Sequence, residues 1–392
     1  MDRFAFPIAE EDLLVAKAAR DFAERRLVAG AAERDAQARF PVEQIQELGK
    51  LGLLAMKVSE ADGGAGTSNV GYVLAMQAIA EACASTAVVL ASSNLAAKIL
   101  ADHATPSQKD RWVTPYAKGD IGPASFALTE PLGGSDAAAI RTRARVDGKH
   151  WVLDGEKAWI TSASHAAFHV VFARTDGDGK EGISCFVVEG GTPGLVVGKE
   201  EDKMGQRASG TAPLSFEDCR VPLDHLVGRR GAGYGVALSA LGAGRVGIAA
   251  LSLGIAEAAY SSGIRYADER KAFGKRLTDF QNTEFVLADC RTDLDAAWLL
   301  MLRAAKLLDS GKKASAETSM AKVFATEACG RVVDKMVQLH GGYGYSRAYS
   351  VERNYRDARV TRIYEGTNEI QRIVIAREIL KSAREGVTEA RG

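Results

Sequence analysis

The spacing of apolar residues is the sequence feature that most constrains the fold of this chain, because it changes twice along the 392 residues. Before about residue 120 and after about residue 230, apolar residues recur at three- and four-residue spacing, which is typical of amphipathic helices. Between these regions, short apolar runs alternate with turn signals such as Asp147-Gly148 and Asp154-Gly155. No helical pattern separates the runs, which favours an antiparallel sheet or barrel over alternating βαβ units.

The two changes of period predict an α+β protein with three segments. We expect an N-terminal helical domain over 1–121, a central antiparallel β-sheet or β-barrel domain over 122–228, and a C-terminal four-helix-bundle-like domain over 229–392. The two helical domains are expected to pack as one unit around the β domain. The expected helices cover 10–30, 41–56, 70–82, 86–102, 106–118, 235–268, 315–340 and 368–384. The expected strands cover 125–128, 142–146, 151–153, 170–173, 184–188, 195–197 and 214–216.

One further helix is predicted by the longest regular pattern in the chain. Its apolar residues follow one another at alternating three- and four-residue steps: Leu287, Cys290, Leu294, Ala297, Met301, Ala304 and Leu308. A stripe of this length belongs to a helix bundle or to a subunit interface, and the sequence leaves both interpretations open.

The net charge excludes two classes of protein. The 50 Lys and Arg residues balance the 50 Asp and Glu residues, whereas nucleic-acid binding and attachment to anionic membranes need clustered cations in surplus. No uninterrupted apolar run reaches 18 residues, so no membrane span is expected. A local group of cations remains compatible with one phosphorylated small molecule.

The five cysteines lie far apart and show no spacing typical of a metal site. Their odd number and wide spacing fit reduced thiols in a reducing compartment, so we expect no metal ligands among them. The first residues, MDRFAFPIAEEDLL, contain acids and no apolar stretch of a secretory signal. Together these features predict a cytoplasmic protein.

Gly242, Gly244 and Gly247 form a GxGxxG pattern, which in a dinucleotide-binding fold follows a strand and opens a helix. Here both flanks have a helical pattern and no second strand follows, so we interpret the glycines as sites of close helix packing. Arg245, within the pattern, is a cation that can meet an anionic ligand.

Two segments of the β domain combine glycines, hydroxyl groups and a Trp. The segment 126–136 runs from a strand into a turn with Gly133 and Gly134. This turn is either an ordinary β turn or a place where the backbone approaches a flat ligand or a phosphate. Trp159 either covers one face of an aromatic ring or belongs to the core of a strand.

Three segments of the C-terminal domain carry candidate binding groups. Arg270 lies in a charged segment that is either a solvated helix end or a clamp for a pyrophosphate. The glycines of 341–344 follow a helix, whose C-cap explains only one of them. Glu365 lies just before a helix that Thr367 or Asn368 can cap, so its N-terminal N–H groups can face an anion. As a lone acid, Glu365 can also be interpreted as a loop carboxylate beside a helix dipole.

Six segments, in this order and spacing, resemble signatures of the acyl-CoA dehydrogenase family: FALTEPLGGSD, KAWITS, MGQRASG, DERKAFGKRLTDFQ, QLHGGYGY and IYEGTNEIQR. The resemblance covers essentially the whole chain and agrees with the helix–β–helix layout. It implies FAD as the cofactor, an acyl-CoA substrate, an electron-transfer flavoprotein as the electron acceptor, and a homotetramer. The implied reaction is α,β-dehydrogenation of a short or branched neutral acyl chain to the trans-2-enoyl-CoA.

The resemblance also assigns roles to individual residues. Glu365 is implied as the catalytic base that removes the α proton, since burial in an apolar cavity raises the pKa of a carboxylate toward the range of a base. The implied FAD contacts within the β domain are Phe126, Leu128, Thr129, Gly134, Ser135, Trp159, Ile160 and Thr161. Contacts implied to reach the FAD of a neighbouring subunit are Arg270, Phe273, Gln281, Gln338, Gly341 and Gly342, while Thr367 and Glu369 are implied at the FAD ribose and phosphates. The implied substrate contacts are Ser135, Ser184, Arg245, Tyr364 and Gly366.

Departures from the family pattern narrow these expectations. Some branches take their base from a Glu just before the arginine that matches Arg245; this chain has Gly244 there, which leaves Glu365 as the base. Gly242 replaces an Asp that contacts CoA in many members. The segment 84–90 has no Arg to hold a terminal carboxylate, so a dicarboxylic substrate is not expected.

Two other functions on the same fold stay open at this point. One is a flavin oxidase or monooxygenase, and the other is a non-catalytic acyl-CoA-binding protein. The intact YEGTNE segment favours the dehydrogenase over the oxidase or monooxygenase. A non-catalytic protein is expected to hold no flavin, or a flavin that acyl-CoA cannot bleach.

Overall fold

The structure is a computed structural model that describes residues 6–389. Its N-terminal part is helical, as the apolar spacing predicts. Pro106 occupies the first turn of a helix, where the missing N–H removes no hydrogen bond, and Thr105 caps that helix. The N-terminal helices are α1 Glu10–Arg26, α2 Ala31–Gln37, α3 Val42–Lys50, α4 Asn69–Ala82, α5 Ala84–His103, α6 Pro106–Gln108 and α7 Thr114–Ala117.

The central part forms one eight-stranded sheet. Its strands are β1 Ala124–Ala127, β2 Arg143–Asp147, β3 His150–Thr161, β4 Phe168–Arg174, β5 Ile183–Glu189, β6 Leu195–Val197, β7 Thr211–Pro222 and β8 Leu226–Val227. The strand order is β6-β7-β3-β2-β4-β5-β8, and β1 pairs with β4. Most neighbouring strands are antiparallel, as the hairpin signals predict.

The sheet differs from the expected antiparallel one at β4. Strand β1 pairs with β4 in parallel, so that Ala124 faces Phe168. Strand β2 also meets β4 in parallel, at Arg143 and Arg174. Parallel neighbours need a long connection, and the β2–β3 hairpin lies within the connection from β1 to β4. The sheet is therefore mixed and not purely antiparallel.

The C-terminal part consists mainly of long helices. Its elements are α8 Gly233–Glu269, β9 Lys271–Ala272, β10 Lys275–Arg276, α9 Gln281–Asp309, α10 Ser315–His340, α11 Ser350–Arg359 and α12 Asn368–Glu389. The sequence pattern predicts neither α11 nor the two-residue strands β8, β9 and β10. The apolar ladder of α9 is buried within the chain from Cys290 to Ala304, where α9 packs against α4, α8 and α10. It therefore belongs to a helix bundle.

Strand β4 separates two hydrophobic cores. Phe168, Val170 and Phe172 contribute to a core shared with the helices, whereas Val171 and Ala173 contribute to a second core within the sheet domain. This division follows from the alternation of side chains along a strand. The first core continues through α4, α5 and α8, so the two helical parts pack as one unit, as predicted.

Two helices, α5 and α8, are long and apolar enough to span a membrane by length and composition alone. Inside the fold, 89% of the most apolar window of α5 and 61% of that of α8 are buried. A helix that is apolar on all sides is expected wherever neighbouring elements surround it. The apolar character of both helices is therefore explained by their position in the protein core.

Candidate active site

The segment between α11 and α12 contains a strained two-residue turn. Glu365 has a φ of 50° and Gly366 a φ of 86°, and this left-handed conformation costs a non-glycine residue roughly 1–2 kcal/mol. Nε2 of the buried Gln371 donates to the carbonyl oxygens of both residues, at 3.3 and 3.0 Å. Thr367 caps α12 by accepting from the N–H of Ile370 at 3.3 Å. Backbone strain that is held from several sides is typical of functional sites.

The turn directs the Glu365 carboxylate into an enclosed space. Its Oε2 atom is buried and finds no hydrogen-bond partner within residues 6–389. Burial raises the pKa of Glu365 to about 7, while the charges of Lys322 and Arg245 act in the opposite direction. Nη1 of Arg245 donates to Oγ of Ser319 at 3.1 Å. A carboxylate with a pKa near neutrality is suited to take a proton from a ligand.

Helix α8 leaves room for this carboxylate because residue 244 is glycine. A Cβ atom on Gly244 would lie 2.5 Å from Oε2 of Glu365 and 3.5 Å from Cδ1 of Leu95. One turn further along α8, a Cβ on Gly247 would lie 2.5 Å from the hydroxyl of Tyr72. The interpretation as packing sites is confirmed for Gly244 and Gly247 but is wrong for Gly242, where a Cβ would meet nothing within 4 Å. The group packed at Gly244 is the candidate base itself.

Of the predicted substrate contacts, the structure brings Arg245, Tyr364 and Gly366 together with Glu365. The hydroxyl of Tyr364 accepts a hydrogen bond from Nε2 of Gln206 at 3.1 Å. Burial raises the pKa of Tyr364 well above its usual range, so its hydroxyl stays protonated at neutral pH. The predicted substrate site and the candidate base therefore form one cluster between α8, α10 and the turn before α12.

A second group of predicted residues lines the end of β1 and the turn that follows it. Leu128 is buried, Phe126 and Thr129 are half-buried, and Gly134 and Ser135 are exposed. A Cβ on Gly134 would come no closer than 3.4 Å to a neighbouring atom, Cγ2 of Thr129. Neither crowding nor a positive φ requires glycine there, and its backbone is open to the approach of a ligand.

A buried ion pair attaches this turn to β3. Nζ of Lys157 lies 2.8 Å from Oε1 of Glu130 and donates to the carbonyl oxygen of Leu128 at 3.2 Å. Lys157 is fully buried and Glu130 is 8% exposed. Glu130 also accepts from the backbone N–H of Arg141 and from the N–H and hydroxyl of Thr142. The pair therefore fixes the backbone that leads into the glycine turn.

Trp159 projects from β3 at a bulge. The register of β3 against β7 shifts between Lys157 and Ile160, and Trp159 has a φ of 61°. Its side chain is 61% exposed, so the interpretation as a core Trp is wrong. A bulge can redirect a side chain in this way. Ile160, in contrast, is buried in the core of the sheet domain, so a cofactor contact at this residue can involve only its backbone.

The remaining predicted FAD contacts in the C-terminal part lie on an exposed surface. Phe273, in the β9–β10 hairpin, is 96% exposed, and Arg270 lies over the ring of Tyr343 at 5.7 Å. Gly341 has the positive φ of a helix C-cap, whereas a Cβ on Gly342 would meet nothing within 4 Å. The exposed set consists of Arg270, Phe273, Gln281, Gln338, Gly341, Gly342 and, in the first turn of α12, Glu369. Contacts of this surface with a neighbouring subunit stay a prediction.

Ser184 does not have the position that its predicted CoA contact requires. Its side chain is fully buried in β5. Its Oγ bonds to the hydroxyl of Thr175 and accepts from the N–H of Gly231, each at 2.8 Å. The hydroxyl therefore stabilises the loop that leads into α8 and is not available to a ligand.

The sequence analysis misses two side chains of the site. Tyr72 lies on α4, far along the chain from Glu365, and no local pattern indicates its position. Lys322 lies on α10 among small and apolar residues, one turn from both Ser319 and Thr326, and all three are buried. A lone cation on the buried stripe of a helix is the signal that could have identified Lys322, because such a charge needs fixed partners.

Comparisons with known proteins agree with this architecture. Three family models match the chain: acyl-CoA dehydrogenase N-terminal domain over 9–120, middle domain over 125–219 and C-terminal domain over 231–380. The mitochondrial short-chain specific acyl-CoA dehydrogenase of Mus musculus is 47% identical over 380 residues, which cover 96% of this chain and 92% of that protein.

Solved structures give the same result. Butyryl-CoA dehydrogenase from Megasphaera elsdenii matches with a TM-score of 0.93 at 38% identity, covering 97% of this chain and 100% of that chain. A chain from a structure described as the electron transferring flavoprotein of Acidaminococcus fermentans matches with a TM-score of 0.94 at 39% identity, with the same coverage of both chains.

The three-part fold, the enclosed carboxylate and these matches define a flavoprotein oxidoreductase. The chain belongs to the acyl-CoA dehydrogenase family, whose members are FAD-dependent. The predicted fold class, enzyme class and cofactor are thereby confirmed. The residues present fit the cofactor: Trp159 offers an exposed aromatic face, Thr161 a half-buried hydroxyl two residues later in β3, and Gly134 an exposed backbone.

Replacement of Gly244 by alanine is expected to displace the Glu365 carboxylate and to lower kcat by about 10²-fold, a loss that a misplacement of 1 Å can cause. The overlap falls on an atom enclosed by close-packed helices, which cannot move apart freely. The measurement is steady-state turnover of the FAD-loaded variant with butyryl-CoA. The matched control is Gly235→Ala on the same helix, where a Cβ meets nothing within 4 Å. Equal activity of the two variants would contradict the inference that a side chain at residue 244 and the Glu365 carboxylate compete for one volume.

Proposed function

We propose that this protein removes one α and one β hydrogen from a short-chain acyl-CoA, with Glu365 as the base that takes the α proton. The observation that carries the proposal is the enclosed Oε2 of Glu365, which has no hydrogen-bond partner within the described residues. A buried acceptor without a partner is costly to maintain. Its presence is explained if a ligand supplies the missing group, and an α C–H of the substrate is the group that a base requires.

The residues around Glu365 have separable tasks in this reaction. Bound FAD supplies the acceptor for the β hydrogen, which leaves with its electron pair as hydride. Oε2 of Glu365 takes the α proton, and the backbone N–H of the same residue is the donor that we assign to the thioester oxygen, where negative charge develops. Tyr364 and Gly366 flank the thioester. Tyr72 and Leu95, both nearly buried, exclude water from the far side of the carboxylate.

Three observations support a short, neutral acyl chain. The relatives from Mus musculus and Megasphaera elsdenii are named for short-chain and butyryl substrates. The buried stretch of α5 at 84–90 carries no cation for a terminal carboxylate. Leu95 and Tyr72 occupy space directly behind Gly244 and Gly247, which limits the length of a chain that lies beside the base. Arg245 is the cation that we assign to the anionic CoA portion.

An anaerobic titration with a panel of acyl-CoAs tests the proposal. Butyryl-CoA is expected to bleach the flavin absorbance of the purified, FAD-loaded protein completely, and octanoyl- and palmitoyl-CoA progressively less. Glutaryl-CoA, which is short but ends in a carboxylate, is expected to leave the absorbance unchanged. It separates the effect of charge from that of chain length. A protein that holds FAD and is bleached by none of the four contradicts the proposal. Rapid reoxidation by dioxygen while product is bound identifies an oxidase instead.

The proposal extends to the partners and location of the protein. An electron-transfer flavoprotein is the proposed acceptor of electrons, supported by the sequence resemblance. The exposed aromatic side chains Phe273 (96%) and Tyr345 (91%) support a homotetramer in which this surface meets a neighbouring subunit. All five cysteines are buried and free, which supports a reducing, cytoplasmic environment.

The pKa of Glu365 predicts an acid limb in the pH profile of kcat/KM. Because burial raises this pKa to about 7, the carboxyl group is protonated at lower pH and cannot take a second proton. We expect kcat/KM to fall about tenfold for each pH unit below pH 7. Initial rates with butyryl-CoA between about pH 5.5 and 7.5 measure the limb, and flavin absorbance at each pH controls for loss of FAD. A flat profile over this range is incompatible with the assignment.

A further inference from the structure

Lys322 is a buried cation directly beneath the turn that carries Glu365. Its side chain has no solvent exposure. Its Nζ donates to the carbonyl oxygen of Gly366 at 3.0 Å and to Oδ1 of Asn368 at 2.9 Å. Within residues 6–389, no carboxylate forms an ion pair with it at 4 Å or less. A buried ammonium group needs hydrogen-bonding partners that are held in place. For Lys322 these partners are the two oxygens of Gly366 and Asn368.

Both partners of Lys322 belong to the segment that places the base. Gly366 is the second residue of the left-handed turn, and Asn368 is the first residue of α12. Asn368 is itself held on α10, since its Nδ2 donates to Thr326 Oγ1 and Glu327 Oε1, each at 2.9 Å. Lys322 and Asn368 therefore attach the end of the turn to α10. Strained backbone of this kind persists only where its surroundings fix it.

We propose that Lys322 is a positioning residue of the reaction: its ammonium group holds the Glu365-Gly366 turn so that the carboxylate lies over Gly244 on α8. It acts through the turn and does not touch the substrate. The proposal rests on the proposed role of Glu365 as the base. It adds a specific requirement for the charge and hydrogen bonds of a side chain that lies 43 residues earlier in the chain.

The charge of Lys322 has a second effect, on the proton affinity of the base. The charged and titratable groups that face Glu365 are Lys322 from α10, Arg245 from α8, Tyr72 from α4 and the adjacent Tyr364. Both cations lower the pKa of Glu365 and so oppose the effect of burial. Removal of one cation therefore raises this pKa, because a nearby positive charge favours the ionised carboxylate.

Lys322→Met and Lys322→Arg distinguish positioning from simple filling of space. Met retains the length of the side chain without the charge or the donors, whereas Arg retains both. We expect Lys322→Met to bind FAD, to lower kcat by about 10²-fold with KM within about twofold, and to move the acid limb of the pH profile to higher pH. Lys322→Arg is expected to recover part of kcat and to return the limb toward its original midpoint. Lys335→Met, an exposed lysine on the same helix, is the matched control.

An unchanged kcat or an unmoved acid limb in FAD-loaded Lys322→Met overturns the proposal, and a loss of thermal stability without either change shows a purely structural role. If Lys322→Met does not fold, Lys322→Gln is judged by the same two criteria. Failure of the proposed function has a different signature, because Glu365→Gln would then retain turnover. An inactive Glu365→Gln beside a fully active Lys322→Met rejects the role of Lys322 alone.

Discussion

Replacement of Glu365 by glutamine is expected to lower the rate of flavin reduction by butyryl-CoA by about 10²- to 10⁴-fold, the contribution typical of a general base. Glutamine has nearly the shape of glutamate, so the turn and the contact at Gly244 are retained. An amide, however, cannot take the α proton at neutral pH. Rapid mixing of the FAD-loaded variant with substrate, followed by flavin absorbance, measures the rate directly and separates it from product release.

The control for this experiment is Glu24→Gln, which removes an exposed carboxylate from α1. It is expected to reduce its flavin at the wild-type rate. The variant at residue 365 must also retain a full complement of FAD, since a loss of cofactor would imitate a loss of chemistry. Normal flavin reduction by FAD-loaded Glu365→Gln would refute the assignment of the base and with it the proposed mechanism.

Lys157→Met is expected to lower the free energy of unfolding by about 3–5 kcal/mol, the range observed when one partner of a buried ion pair is removed. The remaining carboxylate of Glu130 is 8% exposed and would be left buried without a counter-ion. The bonds from Arg141 and Thr142 stabilise it only in part. Urea unfolding in the presence of saturating FAD measures the effect, and weaker FAD binding is expected as well, because the glycine turn loses its attachment to β3.

Two further variants make this prediction specific. Lys149→Met changes an exposed lysine in the β2–β3 hairpin and is expected to leave stability within about 0.5 kcal/mol of the wild type. The double variant Lys157→Met/Glu130→Gln removes the unpaired charge and should recover part of the loss. Identical stability of the single and double variants would show that charge burial is not the cause. The difference between the two variants gives the effect of Glu130→Gln on stability once Lys157 has been removed.

The sequence predicts the helices and most strands because their patterns are local. The spacing of apolar residues locates α4, α5, α8, α9, α10 and α12 to within a few residues. It misses α11, whose sequence SVERNYRDAR is short and has charged residues at five of its ten positions. It also predicts an antiparallel sheet, since hairpin signals describe neighbours in the chain. The parallel pairing of β1 with β4 joins strands that are separated by a complete hairpin, and no local pattern records such a contact.

The same division holds for the site. Glu365 and Gly134 lie in short segments whose composition indicates their position, although only the structure shows that Oε2 of Glu365 is enclosed. The bulge in β3 reverses the alternation of side chains, so the exposure of Trp159 and the burial of Ile160 cannot be inferred from strand period. Lys322 contacts the turn before α12 only because α10 packs beneath that turn, and this tertiary contact leaves no local pattern in the sequence. Tertiary contacts of this kind define the surroundings of the base, whereas the sequence defines only its identity.

The space that Gly244 leaves for the Glu365 carboxylate, here called the slot, also restricts how the position of the base can change between related enzymes. A side chain at residue 244 and the carboxylate of Glu365 compete for the same volume, so an acid at one position requires a small residue opposite it. A lineage that relocates its base must therefore make two substitutions. Either single step produces a poor enzyme, with two acids crowded into one slot or with no acid at all. The two residues form an epistatic pair, and this geometry predicts that enzymes of this fold carry their acid at one of the two places and not at both.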